Sequence, residues 1–87
     1  MNMKNIDPKR YNLSSRTILR QIGKNNISII IDRKSRIIMK DGKRILKQAH
    51  SIHQINSNMT ITVLTSAPVC SKTRAFLLEN NIFIKEL

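Results

Sequence analysis

Residues 60–85 read TITVLTSAPVCSKTRAFLLENNIFIK, and this stretch decides the fold. The β-branched run at 60–65 predicts a strand, and the turn residues at 66–68 lead into a helix that ends near Leu78. Residues 82–85 then predict a second short strand. Two strands joined by a single helix need a crossover connection, so we expect them to be parallel. The stretch therefore predicts a β-α-β unit.

The segment before this unit predicts two more strands. Short β-branched runs at 27–32 and 36–40 are separated by residues 33–35, the spacing of an antiparallel hairpin. A helix capped by Asp41 is expected to follow and to run to about Ile55. The hairpin thus leads directly into the β-α-β unit.

The remaining N-terminal residues predict a helix and an arm. Ser14 as N-cap and Gly23 as stop predict a helix over 13–23. Residues 1–12 are polar and lack periodicity, so we expect a flexible basic arm there and a single α/β domain over 13–87. The predicted order is α-β-β-α-β-α-β. It describes a small mixed sheet, with a β-hairpin followed by a parallel β-α-β unit and with helices covering the sheet.

Positive charge is concentrated in one half of the chain. Sixteen Lys and Arg against five Asp and Glu leave a net charge of +11. Twelve of these cations and only two carboxylates lie within residues 9–47, whereas residues 48–87 carry three cations and two carboxylates. A charge of this size and distribution favours a polyanionic partner.

Compartment and membrane signals point to a soluble intracellular protein. The single Cys70 cannot form an internal disulfide, which suits a reducing compartment. No apolar run approaches the ~20 residues that span a bilayer, and the N-terminus lacks the hydrophobic segment of a signal peptide. We therefore expect a location in the cytoplasm or an organelle matrix and no membrane partner.

The predicted element order over 13–85 resembles the core of PD-(D/E)XK restriction-endonuclease-like proteins. That resemblance rests on a strand ending in Asp32, the triplet Ile38-Met39-Lys40 at the position of the (D/E)XK motif, and a following helix and strand. It implies a nuclease fold in which two acids and a lysine hold a divalent metal and the scissile phosphate. Here the triplet keeps Lys40 and lacks the acid. On the predicted hairpin, Asp32 and Lys40 would also lie too far apart to share a metal, roughly 13 Å.

A weaker resemblance links residues 38–43, the helix and strand that follow, and the Ala67-Pro68 turn to L7Ae-like kink-turn-binding proteins. These are small α/β/α sandwiches, and the resemblance implies recognition of structured RNA.

The basic cluster predicts a phosphate-binding surface. Long cationic side chains on a hairpin tip reach outward, and cations near a helix N-terminus lie beside free N–H groups that attract phosphate. The predicted contact residues are Arg33, Lys34, Arg36, Lys40, Lys43, Arg44 and Lys47. With only three aromatic residues in the chain, base stacking is not expected to dominate. The predicted ligand is the backbone of structured RNA or of a duplex, or a nucleoprotein assembly.

Two alternatives remain open from the sequence. The first is a protein-interaction or regulatory subunit, which could form a homodimer and whose basic face docks an acidic partner. The second is a degenerate or active PD-(D/E)XK nuclease. We expect no catalytic residues, no cofactor and no metal site, since His50 and His53 lack a third ligand and Cys70 lacks an adjacent base in sequence.

Overall fold

Five strands form one sheet, and two helices pack against it. The computed structural model describes residues 3–87. The strands are β1 (Met3–Ile6), β2 (Ile18–Ile22), β3 (Asn26–Ile31), β4 (Thr60–Thr65) and β5 (Ile82–Glu86), and the helices are α1 (Met39–Ile55) and α2 (Ser71–Glu79). A short 3-10 helix (Pro8–Tyr11) lies between β1 and β2. The predicted α/β class is confirmed.

The spatial order of the sheet follows the chain, β1-β2-β3-β4-β5. β1 and β2 are antiparallel, as are β2 and β3, whereas β4 pairs in parallel with both β3 and β5. The β-α-β unit predicted over 60–85 is therefore present as β4-α2-β5. A second parallel crossover, β3-α1-β4, precedes it, and α1 ends at Ile55 as expected.

Both helices cover the same face of the sheet. The inward stripe of α1, residues Ile45, Ala49 and Ile52, packs in one core cluster with Leu77 of α2. The strands contribute Ile6, Leu19, Ile27, Ile29, Ile61, Val63 and Ile82 to this cluster. Full burial of one such aliphatic side chain stabilises the fold by roughly 2 kcal/mol.

The helix predicted over 13–23 is wrong. Residues 18–22 form β2, which pairs with β1 and β3 along its whole length. Leu19 is buried and its neighbour Ile18 is half exposed, the alternation of a strand. Gly23 adopts φ +67° in the turn to β3, where its lack of a Cβ is needed, and does not end a helix. The observed element order is therefore β-β-β-α-β-α-β.

The hairpin predicted over 27–32 and 36–40 is also wrong in its second strand. β3 already pairs with β2 on one edge and β4 on the other, so no edge remains for residues 36–40. Met39 and Lys40 instead begin α1. The antiparallel hairpin of this protein is β2-β3.

Residues 3–12 of the predicted N-terminal arm are part of the folded domain. Residues 3–6 pair with β2, and Tyr11 is buried in the core cluster. Residues 1 and 2 lie outside the described part of the chain. The expected flexibility is replaced by pairing because β2 offers a free strand edge.

The second face of the sheet is covered by neither helix. Strand alternation places Met3, Ile18 and Phe83 on it, each with close to half of its surface exposed. Its charged side chains on the strands are Arg20 and Lys85, both basic. This half-apolar surface is named the uncovered face below.

Candidate nucleic-acid interface

The loops that follow β3 and β4 are joined at the sheet edge where both strands end. The N–H of Ile37 donates to the carbonyl of Pro68 at 2.9 Å, and the N–H of Cys70 donates to the carbonyl of Ile37 at 2.9 Å. This short parallel bridge between Ile37 and Val69 sets the starts of α1 and α2 side by side. The carboxyl edge of parallel strands and the free N–H groups of helix N-termini both favour binding of anions.

The predicted contact residues lie at this edge or directly beside it. Three of them are on the loop 32–38 between β3 and α1, where a hairpin tip had been predicted, and four are on the first nine residues of α1. Spacings of three and four residues place Lys40, Arg44 and Lys47 along one flank of α1. Six of the predicted residues are exposed and form the basic surface: Lys34, Arg36, Lys40, Lys43, Arg44 and Lys47.

Arg33, the seventh predicted residue, is held inside the loop. Its Nη2 lies 2.6 Å from Asp41 Oδ2 and 3.2 Å from the Arg36 carbonyl oxygen, and its Nε donates to the Ser35 carbonyl at 3.1 Å. This is the ion pair found within residues 3–87. Arg33 therefore fastens the loop to α1, and Asp41 neutralises its charge.

Asp41 connects the loop to the helix. Its Oδ2 accepts the N–H of Ile38 at 3.0 Å, which is one half of a capping box. The other half is absent, because the N-cap residue Ile38 has no side-chain acceptor. Partial burial acts to raise the pKa of Asp41. The hydrogen bonds from Arg33 and Ile38 and the charges of Arg33 and Arg44 outweigh that effect and hold its pKa below the ordinary value. Asp41 is thus ionised and bound at neutral pH.

Apart from Asp41 in the first turn of α1, the Lys, Arg and Glu residues of both helices are placed against the helix dipole. All Lys and Arg of α1 lie in its first nine residues. α2 carries Lys72 and Arg74 near its start, no acid in its first turn, and Glu79 at its end. A cation in the first turn of a helix costs about 0.3–1 kcal/mol, which applies to Lys40, Lys72 and Arg74, and a bound anion relieves that cost. Departures from local stability rules of this kind are typical of functional sites.

Lys72 and Arg74 were missed by the sequence analysis. They were counted in the nearly neutral C-terminal half, although both are exposed beside the basic surface. The parallel β-α-β unit predicted from the sequence is enough to place Lys72 and Arg74 at this edge, because helices that follow neighbouring parallel strands begin at the same edge of the sheet.

A cleft of about 310 Å³ lies between the loop that precedes β2 and the first half of α1. Its floor is apolar and includes Ile29, Ile31 and Ile45. Its polar walls carry Arg16, Thr17, Arg33, Asp41, Arg44 and Gln48. Sequence reasoning missed this cleft because residues 13–17 had been assigned to a helix.

Cys70 is the N-cap residue of α2. The backbone N–H groups of Thr73 and Lys72 lower the pKa of its thiol, partial burial opposes them, and the Thr73 hydroxyl and the Arg36 charge lower it further. Within residues 3–87, no basic side chain is hydrogen-bonded to this thiol.

The residues singled out by the nuclease resemblance have other partners. Asp32 accepts a hydrogen bond from the hydroxyl of Ser66, and Lys40 lies on a helix, so the strand distance assumed between them does not apply. Within residues 3–87 no three His, Cys, Asp or Glu side chains are grouped to hold a metal. His53 bonds to the carbonyl of Met59 at 2.7 Å. This hydrogen bond connects the C-terminal end of α1 to the loop before β4.

Comparison with protein-family models, curated proteins and solved structures finds no match for this chain. Among the described helices none is long and apolar enough to cross a bilayer.

Proposed function

We propose that this protein binds the phosphate backbone of structured RNA or duplex nucleic acid through its basic surface. What supports the proposal is the meeting of two helix N-termini at one edge of the sheet, with six exposed cations on the adjoining loop and on the first nine residues of α1. Lys72 and Arg74 extend the same edge.

Phosphate binding accounts for the reversed helix charges. In the free protein, the cations of α1 and α2 face the positive ends of their own helix dipoles. Backbone phosphates placed between them satisfy both the side chains and the free N–H groups of the first turns. The first turn of α2 holds no acid, and the acid in the first turn of α1, Asp41, is already bound by Arg33 and by the N–H of Ile38. A phosphate ligand therefore explains the cations at these two helix starts.

The expected mode is recognition of shape and charge. Phosphate contacts carry no sequence information, and the basic surface has no aromatic side chain for stacking. Neutralisation of about five phosphates predicts a slope near −4 for log affinity against log salt on duplex DNA.

The test is fluorescence anisotropy with a labelled RNA hairpin and a labelled DNA duplex of unrelated sequence. Raising salt from about 50 to about 200 mM is expected to weaken binding to the duplex roughly 200-fold. Lys24→Gln is the matched control, because Lys24 is exposed in the β2-β3 turn at the opposite edge of the sheet. No binding at the lower salt concentration would refute the proposal.

A second candidate function is docking of an acidic protein on the uncovered face. Exposed Met3, Ile18 and Phe83 supply apolar area there, and Arg20 and Lys85 make the charge of its strands positive. An amphipathic partner segment with acidic flanks is complementary to this combination. A second copy of the chain fits less well, because it would bring like charges together.

This candidate is separated from the first by variants of the uncovered face. Met3→Ser with Phe83→Ser is expected to abolish binding of an acidic amphipathic peptide and to leave the salt-dependent nucleic-acid affinity unchanged. Size-exclusion chromatography with light scattering on the wild type reports self-association. A stable dimer that the double variant dissociates would assign the face to a second copy instead.

A further inference from the structure

We propose that the cleft beside α1 binds the phosphorylated end of a nucleic-acid strand, with its terminal phosphate on Arg16 and Arg44. This inference rests on the proposed function and specifies that the cleft binds the end of the nucleic-acid strand.

The charge of the cleft matches a phosphate monoester. Three arginines line it, and Asp41 neutralises Arg33 through their 2.6 Å contact. Arg16 and Arg44 therefore leave a local charge of +2. A terminal phosphate carries about −1.5 to −2 at neutral pH, whereas an internal phosphodiester carries a single negative charge.

A contact between two side chains spans the cleft at one of its ends. Its lining follows α1 from Asp41 to Gln48, a length of about 10 Å. At the Gln48 end, Gln48 Nε2 donates to Thr17 Oγ1 at 3.4 Å and bridges the gap between α1 and the loop. At the Asp41 end, it meets the loop 32–38 and the basic surface. A strand that enters from the basic surface would meet this contact about 10 Å along α1, which favours binding of its end over passage through the cleft.

The floor and the volume suit one nucleotide. Isoleucines form the floor, and Ile29 and Ile45 are each only 2% exposed, so the floor is rigid core. Apolar contact accepts the flat face of a base or a sugar without selecting its identity. A volume of about 310 Å³ is at the lower limit of ligand pockets, which leaves room for a single residue of the strand.

The test compares short labelled single strands that differ only at their ends. One carries a 5′-phosphate, one a 3′-phosphate, and one has hydroxyls at both ends. A fourth strand has hydroxyl ends and one additional nucleotide, and it controls for the added charge. One of the phosphorylated strands is expected to bind at least about tenfold more tightly than both hydroxyl-ended strands, because two charge-assisted contacts form only with it.

Arg16→Gln is the diagnostic variant. Arg16 is exposed on the loop before β2 and lies outside the basic surface, so the affinity for hydroxyl-ended strands is expected to stay unchanged. The preference for the phosphorylated end is expected to disappear. Lys24→Gln is the matched control and should retain the preference.

The outcomes separate this inference from the proposed function. Equal binding of phosphorylated and hydroxyl-ended strands, or a preference that survives in Arg16→Gln, overturns the inference and leaves backbone binding intact. Failure of every strand and duplex to bind at low salt overturns the proposed function. Excess free nucleoside monophosphate should compete away the preference and reduce binding only to the level of the hydroxyl-ended strand.

Discussion

Gly42 of α1 lies directly against Thr73 of α2. A Cβ placed on Gly42 would come 2.8 Å from Thr73 Cγ2, closer than such atoms approach in folded proteins. Thr73 is fully buried, and a buried β-branched side chain has few alternative positions. This contact sets how closely the two helices, and therefore their N-termini, approach each other.

Gly42→Ala is expected to lower the free energy of unfolding by roughly 1 kcal/mol. The alanine gains about 1 kcal/mol of helix propensity, but the overpacked contact costs up to about 3 kcal/mol. Urea denaturation measures the difference. Thr73→Ser removes the clashing methyl, so the double variant should be more stable than the sum of the two single effects predicts. Strict additivity would show that the contact is not tight.

Asp41→Asn is expected to destabilise the protein by roughly 1 kcal/mol at pH 7. The contacts of Asp41 with Arg33 and Ile38 are charge-assisted, and the partial exposure of both side chains reduces their strength through solvent screening. Because the folded-state pKa of Asp41 lies below its ordinary value, its ionised form stabilises the fold above that ordinary value. This stabilisation is lost as the pH falls through the folded-state pKa.

The difference in stability between wild type and Asp41→Asn should therefore shrink as the pH falls below about 4. Urea titrations at several pH values test this. Nucleic-acid affinity of the variant should be equal or higher, since the edge loses a negative charge. A constant stability difference down to pH 2 would contradict the low pKa of Asp41.

Removing three lysines from α1 should reduce both affinity and its salt dependence. The variant Lys40→Gln, Lys43→Gln and Lys47→Gln is expected to change the duplex salt slope from near −4 to between about −1 and −2, since each lost phosphate contact removes about 0.9. The measurement is anisotropy over a salt series. Lys24→Gln should leave the slope within error of wild type, and an equal reduction in that control would show that only net charge matters.

Lys72→Glu should stabilise the free protein while weakening binding. An acid in the first turn of α2 complements the helix dipole, so we expect a gain of about 0.5 kcal/mol. The same change places a negative charge where a phosphate is proposed to lie. Thermal unfolding and anisotropy together measure the two effects. Lys24→Glu reverses the same charge outside a helix and should change stability less.

Cys70 is expected to react with iodoacetamide at lower pH than an ordinary thiol. The N–H groups of Thr73 and Lys72 and the charge of Arg36 stabilise its thiolate, which lowers its pKa. The pH dependence of the alkylation rate gives this pKa directly. Arg36→Gln should move the midpoint slightly toward that of free cysteine, and an unmoved midpoint would show that the charge of Arg36 does not contribute to the lowered pKa.

Prediction from sequence was most accurate where one pattern had one structural solution. The run at 60–65 and the run at 82–85 are separated by a length that only a helical crossover fills, and both strands are present. The segment 18–22, ILRQI, is ambiguous by contrast. Its apolar residues fit one face of a helix as well as a strand. Pairing with β1 and β3 decided for the strand, and this tertiary effect outweighs local propensity.

The candidate site was predicted in part for the same reason. The cations at 34, 36, 40, 43, 44 and 47 are close in sequence, and a helix that begins at residue 39 keeps the last four within about three turns. Lys72 joins that edge, and Arg16 lines the cleft beside it, only because distant segments meet there. The neutralisation of Arg33 depends on the loop bringing it to Asp41, which no spacing rule predicts.

The sequence alone determined the α/β class, the β-α-β unit and the concentration of positive charge before residue 48, because hydrophobic period and charge are local properties of the chain. The tertiary structure decided which strand edges were occupied, and with them the identity of β2, the loop at 32–38 and the cleft beside α1. Backbone hydrogen bonds between strands must be satisfied by a partner, and the partner is set by the whole chain.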